Sequence, residues 1–176
     1  MAETRILVAT DGSEHGTRAV DLAAELSAGL GEGLTILHVL MHGRPAAELE
    51  RMAEIEHLVE EAAPRAEIPR TDIPGSFGRV LGGPGPDDRA ARLIAAVGDA
   101  IVARAATRAE GAAAQDIRTR VVQGDHADAI VDAAADEGAR MIVVGRRGLG
   151  RFRGAVLGSV SQKLLHQAPC TVVAVT

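Results

Sequence analysis

Apolar residues along this chain follow two alternating rhythms. Residues 5–10 read RILVAT, an unbroken apolar core without polar alternation, as a strand covered on both faces requires. That segment predicts a central strand. Ala19, Leu22, Ala23, Leu26 and Leu30 then fall at i, i+3, i+4, i+7 and i+11, one face of a helix ended by Gly31 and Gly33. Residues 34–40 (LTILHVL) give a second strand. The helical spacing returns at Ala90, Leu93, Ile94, Val97 and Ile101, and beyond Gly111 a third strand spans about residues 117–123, whose alternation suits a place nearer the edge. Residues 125–137 predict a helix and 141–145 (MIVVG) a fourth strand. Leu157, Val160 and Leu164 mark a helix that stops before Pro169, and 170–175 (CTVVAV) is a fifth strand. Such alternation predicts an α/β fold, a single domain built on a parallel sheet covered by helices.

The irregular stretch is residues 41–88, a long insertion between the second strand and its helix. Met52, Ile55, Val59 and Ala62 would share one side of an amphipathic helix, with six glutamates from Glu48 to Glu61 elsewhere around it. The part from Pro64 to Asp88 holds five prolines and five glycines, which predicts a loop or flap running up to the next helix.

Charge and composition narrow the function classes. No apolar run approaches the ~20 residues that cross a bilayer. Glu3 and the short apolar run at 6–9 do not read as a secretory leader, so a cytoplasmic protein is expected. The chain has no Trp or Tyr and two Phe, so any bound base must be gripped by aliphatic side chains and backbone, and the stacking platforms of single-strand nucleic-acid binders are missing. The net charge of −5 hides an asymmetry. From residue 138 onward there is no acid, and Arg140, Arg146, Arg147, Arg151, Arg153 and Lys163 give +6, which leaves −11 on residues 1–137. A basic part this short and apolar suits a small localised anion rather than a polyanion.

The strongest local signal follows the fourth strand. Gly145, Gly148, Gly150 and Gly154 cluster where strand gives way to helix, among Arg146, Arg147, Arg151 and Arg153, and Gly158, Ser159, Val160 and Ser161 open the last helix. Glycine lets successive N–H groups converge on phosphate oxygens, and a helix N-terminus favours an anion. The alternative is a surface loop punctuated by glycines with solvated arginines. A Walker A loop is excluded, since the only lysine, Lys163, lies inside the last helix, and a dinucleotide fingerprint fails on glycine spacing and position. Asp11 has two readings as well: a ligand contact, or a helix N-cap with Glu14 three residues on. The six histidines show no metal-ligand spacing, Ser159 has no triad partner in sequence, and Cys170 reads as an apolar filler.

The spacing Gly145-x2-Gly148-x9-Gly158-Ser159 resembles the glycine pattern of the ATP-binding branch of the universal stress protein family. Residues 8–13 (VATDGS) resemble that family's first strand and turn, 37–39 (LHV) the end of its second strand, and 169–175 (PCTVVAV) its closing strand, so the likeness covers nearly the whole chain outside 41–88. The resemblance implies a five-stranded Rossmann-like sheet of order 3-2-1-4-5 with ATP, or AMP or ADP, across the carboxyl ends of the strands and Mg²⁺ carried on the phosphates. By motif position it implies that Ala9, Thr10, Asp11 and Val39 hold the adenosine end, while Gly145, Gly148, Gly158, Ser159, Val160 and Ser161 line ribose and phosphates. Arg146, Arg147, Arg151 and Arg153 are added from their charge, with one or two of the four, Arg146 and Arg147 first, expected at the ligand. A homodimer paired through strand 170–175 is implied too, in keeping with an apolar, β-branched edge strand. The expected function is a nucleotide-dependent stress-response switch, at most a weak ATPase. An enzyme of adenylate chemistry and a nucleotide-free dimeric module are the alternatives.

Overall fold

The computed structural model describes residues 4–41, 86–148 and 157–176. Within them the chain runs β1 (Arg5–Ala9), α1 (Glu14–Leu30), β2 (Gly33–Met41), α2 (Pro86–Gly111), β3 (Gln115–Gly124), α3 (His126–Asp136), β4 (Ala139–Gly145), α4 (Ser159–Gln167) and β5 (Thr171–Val175). The strands form one sheet of order β3-β2-β1-β4-β5, every neighbouring pair parallel. This is the α/β architecture and order expected, with β1 central and β3 at an edge. The amphipathic helix and most of the flap expected in 41–88 lie outside the described residues. One boundary needs correction: the loop expected to reach Asp88 is already helical from Pro86, because proline's fixed φ suits the first turn of a helix and its missing N–H is not needed there.

Alternation along the strands feeds two cores. Ile6, Val8, Leu34, Ile36 and Val143 face α1 and α2, where they meet Ala19, Val20, Ala23, Val102 and Ala105. Leu7, Leu37, Val39, Ile142 and Val144 face α3 and α4 and meet Ile130, Ala133, Ala134 and Leu164. Small alanines let the helices lie close, so the middle of β1 is sealed on both sides: Ile6, Leu7 and Val8 are 0% exposed. Helix α1 starts at Ser13, whose side chain accepts from the Gly16 N–H, and ends at Gly31 in the left-handed region at φ +68°. At that end the buried Ser27 hydroxyl donates to the Glu32 carbonyl at 2.6 Å and accepts from the Gln115 N–H at 2.8 Å, tying α1 to the start of β3.

An arginine stands at the dry entrance of β1. Arg5, 2% exposed, donates from Nε to Thr35 Oγ1 at 3.0 Å and from Nη2 to the carbonyls of Leu34 and Asp116 at 3.0 and 2.7 Å. It also pairs with the Asp116 carboxylate, and Glu137 lies 3.6 Å away. The sheet bends to receive it. Pairing of β2 with β3 skips Asp116, which sits at φ +36°, and pairing of β1 with β4 skips Arg140, so a bulge flanks the guanidinium on each side. Gly33 has no Cβ, which would otherwise overlap Arg5 Nη1.

Arg5→Leu is expected to cost about 2–4 kcal/mol in urea melts, because it strips the buried Leu34 carbonyl and the part-buried Asp116 carbonyl of a charged donor. The hydrogen bond from Arg5 holds the Asp116 carboxyl below the usual carboxylate range, helped by the charges of Arg5 and Arg118 and opposed by desolvation. A depressed folded pKa means that this stabilisation is complete above the unfolded value of about 3.9 and is lost as pH falls through the folded one. Acid titration by circular dichroism should therefore show a shallower loss below about pH 4 in Asp116→Asn than in the parent.

Candidate functional site

Parallel pairing brings the carboxyl ends of all five strands to one edge, and there the crossovers part company. The chain leaves β1 for α1 on one face and reaches α4 on the other after β4. A crevice opens at that divergence, as it does in open α/β sheets generally. It encloses about 590 Å³.

Of the residues singled out in sequence, Ala9, Thr10, Asp11, Val39, Gly145, Arg147, Gly148, Gly158, Ser159, Val160 and Ser161 line this crevice, and Arg146 does not. The backbone of Arg146 is a strut instead: its N–H donates to the Val175 carbonyl at 2.6 Å and its carbonyl accepts from the Gly158 N–H at 2.8 Å. Arg151 and Arg153 lie outside the described residues. Sequence reasoning missed Gly16, Leu37, His38, His126, Ile130, Val144, Leu157 and Gln162, which also line the walls. Leu37, Val39, Ile130 and Val144 make one region apolar. The imidazoles of His38 and His126 are rings that an argument from Phe, Tyr and Trp alone overlooks.

Asp11 is held at the centre of a close approach. The N-cap of α1 is Ser13, not Asp11, which corrects the capping alternative; Asp11 Oδ1 accepts from the Ser13 N–H at 3.1 Å, two residues before the cap position. A Cβ on Gly16 would come within 2.7 Å of Thr10 Oγ1 and 2.9 Å of Asp11 Oδ1, and one on Gly148 would overlap Asp11 Oδ2. Glycines on α1 and after β4 therefore clamp one carboxylate between them. Gly16 carried a readable signal, since glycine within a helix is unfavourable by roughly 1 kcal/mol and asks for a packing reason. The Thr10 peptide is fixed from both sides: its N–H donates to the Leu37 carbonyl at 3.0 Å, and His38 Nδ1 donates to its carbonyl at 2.8 Å.

Across the crevice, α4 opens without a side-chain cap, since Gly158 occupies the capping position. Ser159 is exposed there. Ser161 is buried and its hydroxyl donates to the Gly145 carbonyl at 2.9 Å, closing the glycine turn onto the helix. The two helices that wall the site are joined by Lys163 of α4, whose Nζ reaches Asp125 and Asp128 at the start of α3 at 3.0 and 2.8 Å. Asp125 serves twice, because its Oδ1 also caps α3 by accepting from the Ala127 N–H at 3.2 Å. The hydrogen bonds that Lys163 donates to Asp128 and Asp125 raise its pKa, and the bond from Lys163 lowers that of Asp125.

Among the described residues no three metal-ligating side chains come together, and no helix is long and apolar enough to cross a membrane. Cys170 is half-buried beside the core under α3 and α4, and desolvation pushes its thiol pKa up, away from the thiolate a nucleophile needs.

Comparison with known proteins agrees with this layout. The profile described as the universal stress protein family matches residues 3–176. The chain belongs to the universal stress protein family. A universal stress protein of Thermus aquaticus, encoded in the QAH/OAS sulfhydrylase 3′ region, is 30% identical over 97% of this chain and 96% of its own length. The stress response protein NhaX of Bacillus subtilis is 28% identical over 97% of this chain and 96% of its own. Among solved structures, a universal stress protein in complex with cAMP superposes with a TM-score of 0.60 at 26% identity, covering 100% of this chain and 98% of that one. UspA from Lactobacillus plantarum, at a TM-score of 0.67 and 19% identity over 100% and 99% of the two chains, shares the fold.

Helix propensity alone would make Gly16→Ala a gain of about 1 kcal/mol. The overlap with Thr10 and Asp11 should reverse that sign, giving a net loss of about 1–2 kcal/mol in urea melts with helical circular dichroism retained.

Proposed function

We propose that this universal stress protein binds an adenine nucleotide, ATP in the first instance, in the crevice at the carboxyl ends of β1, β2 and β4, and that occupancy switches a signalling surface in the stress response. The observation that carries this reading is the pairing, within one crevice, of an apolar region (Leu37, Val39, Ile130, Val144) with a glycine turn, the Arg147 guanidinium and the uncapped N-terminus of α4. Ala9, Thr10, Asp11 and Val39 take the adenosine end. Gly145, Gly148, Gly158, Ser159, Val160 and Ser161 take ribose and phosphates, through backbone N–H groups and the helix dipole. Any Mg²⁺ rides on the phosphates.

A cyclic nucleotide is a second reading, favoured by one observation: the solved relative at 26% identity is in complex with cAMP. A site that reads a phosphate through a helix end and a glycine turn accepts a cyclic phosphodiester on the same groups. In both readings the chain acts through a homodimer paired along β5, an edge strand whose Val172, Val173, Ala174 and Val175 are half-buried.

With no Trp or Tyr, a band near 260 nm after purification reports bound nucleotide once nucleic acid is excluded. Calorimetry with ATP, ADP, AMP and cAMP should show saturable binding of at least one of them; heats at the level of dilution for all four would sink the proposal. Gly148→Val should abolish binding with little change in circular dichroism, and it should act by displacing the Asp11 carboxylate as well as by crowding the phosphates. Ser159→Ala should weaken binding by about 1.5–3 kcal/mol, the worth of a hydrogen bond to a charged group.

Light scattering should return twice the chain mass of 18.2 kDa. A monomer at high protein concentration would exclude the β5 pairing. Val173 packs against the core under α1 and α2, so a charge placed there would test folding and not assembly.

A further inference from the structure

On the face of the sheet covered by α1 and α2, directly behind the β1–α1 turn, lies a second crevice of about 270 Å³. Its inner end is the turn itself, at Thr10 and Gly12. Thr17 and Val20 of α1 form one wall, and Ile101, Arg104, Ala105 and Arg108 of α2 form the other. Thr10 lines the large crevice too, so a single turn of backbone separates the two.

The charge in this second crevice is unbalanced. Arg108 is forked onto Asp21, with Nη2 to Oδ2 at 2.9 Å and Nε to Oδ1, a pair that also pins α2 against α1. Arg104 stands four residues earlier, one turn along the same helix face, and has no carboxylate partner among the described residues. Two guanidiniums therefore meet one carboxylate, giving local excess positive charge in a chain of net −5. A guanidinium offers a planar fork matched to two oxygens of an oxyanion. Behind it the wall is apolar, since Val20, Ile101 and Ala105 are buried members of the α1–α2 side. The volume exceeds that of a bare phosphate ion and leaves room for a few carbon atoms.

We infer that the crevice between α1 and α2 is a second ligand site, taking one phosphate group, free or as a small phosphomonoester, on the fork of Arg104, with any short carbon chain against Val20 and Ile101. The site is separate from the nucleotide reading and stands on different side chains. One exposed guanidinium, screened by solvent, sets the affinity on the order of millimolar.

The test is a titration of ¹⁵N-labelled protein by nuclear magnetic resonance, with inorganic phosphate in one arm and glycerol 3-phosphate in the other, at constant ionic strength held with chloride. Saturable shifts of the Gly12 and Thr17 amides and of the Arg104 Nε–H are expected in the low-millimolar range. In Arg104→Gln, an exposed position where the fold is untouched, the amide shifts should need at least tenfold more ligand. Tighter binding of the ester identifies an organic phosphate as the better ligand, and equal binding identifies the free ion. Flat amides at Gly12 and Thr17 would overturn the assignment, as would equal shifts in Arg104→Gln or shifts confined to residues 145–148 and 158–161. The last result would leave the large crevice as the sole anion site, whereas failure of nucleotide binding there would leave this site unaffected.

Discussion

A guanidinium sealed at the entrance of the central strand governs how this sheet is assembled. Arg5 can be kept dry only if each N–H finds an acceptor, and those acceptors come from β2 (Leu34, Thr35) and β3 (Asp116), with Glu137 at the end of α3 close by. The full set of its hydrogen bonds thus requires three strands in register. The bulges at Asp116 and Arg140 and the bare Gly33 are the local concessions that make room for it. A buried ion pair is weak evidence for net stability, but a slip of β3, β2 or β1 would part this guanidinium from acceptors on the neighbouring strands.

At the other end of β1 the same strand delivers the crevice. Ile6, Leu7 and Val8 are fixed by packing on two faces, so the position of Thr10 and Asp11 is inherited from the core and not chosen by a loop. The Thr10 peptide is bonded to Leu37 and His38, Asp11 is wedged between Gly16 and Gly148, and Ser161 draws the glycine turn onto α4. Thr10, Asp11, His38 and Ser161 are therefore oriented before any ligand arrives, which lowers the ordering cost of binding.

What could be read from sequence follows the physics of each signal. The strands were legible because a parallel sheet buries both faces and leaves continuous apolar runs, and the helices α1, α2 and α3 because their apolar positions keep the helical period. Most of the crevice was legible through its glycines and its position after β4. Arg5 was not: an arginine at a strand start reads as solvated, and only long-range partners reveal that it is buried. The capping alternative for Asp11 could not be closed from sequence because Asp and Ser both favour that role, and the geometry that chooses Ser13 depends on a turn at Gly12 with φ +78°. His126 and Ile130 sit on a helix that sequence assigns correctly, but which of its faces meets the crevice depends on how α3 packs beside α4.

The chain has one lysine, and it bridges the two helices that wall the crevice. An amine-directed reagent therefore meets a single side chain, set on the seam between α3 and α4. The side chain is part-exposed, but its ammonium is held by Asp125 and Asp128 and its pKa is raised, so the neutral amine that reacts is scarcer than on a free lysine. The rate of labelling at Lys163, read by peptide mass, then reports how firmly the ion pairs across that seam hold, with no probe grafted onto the protein.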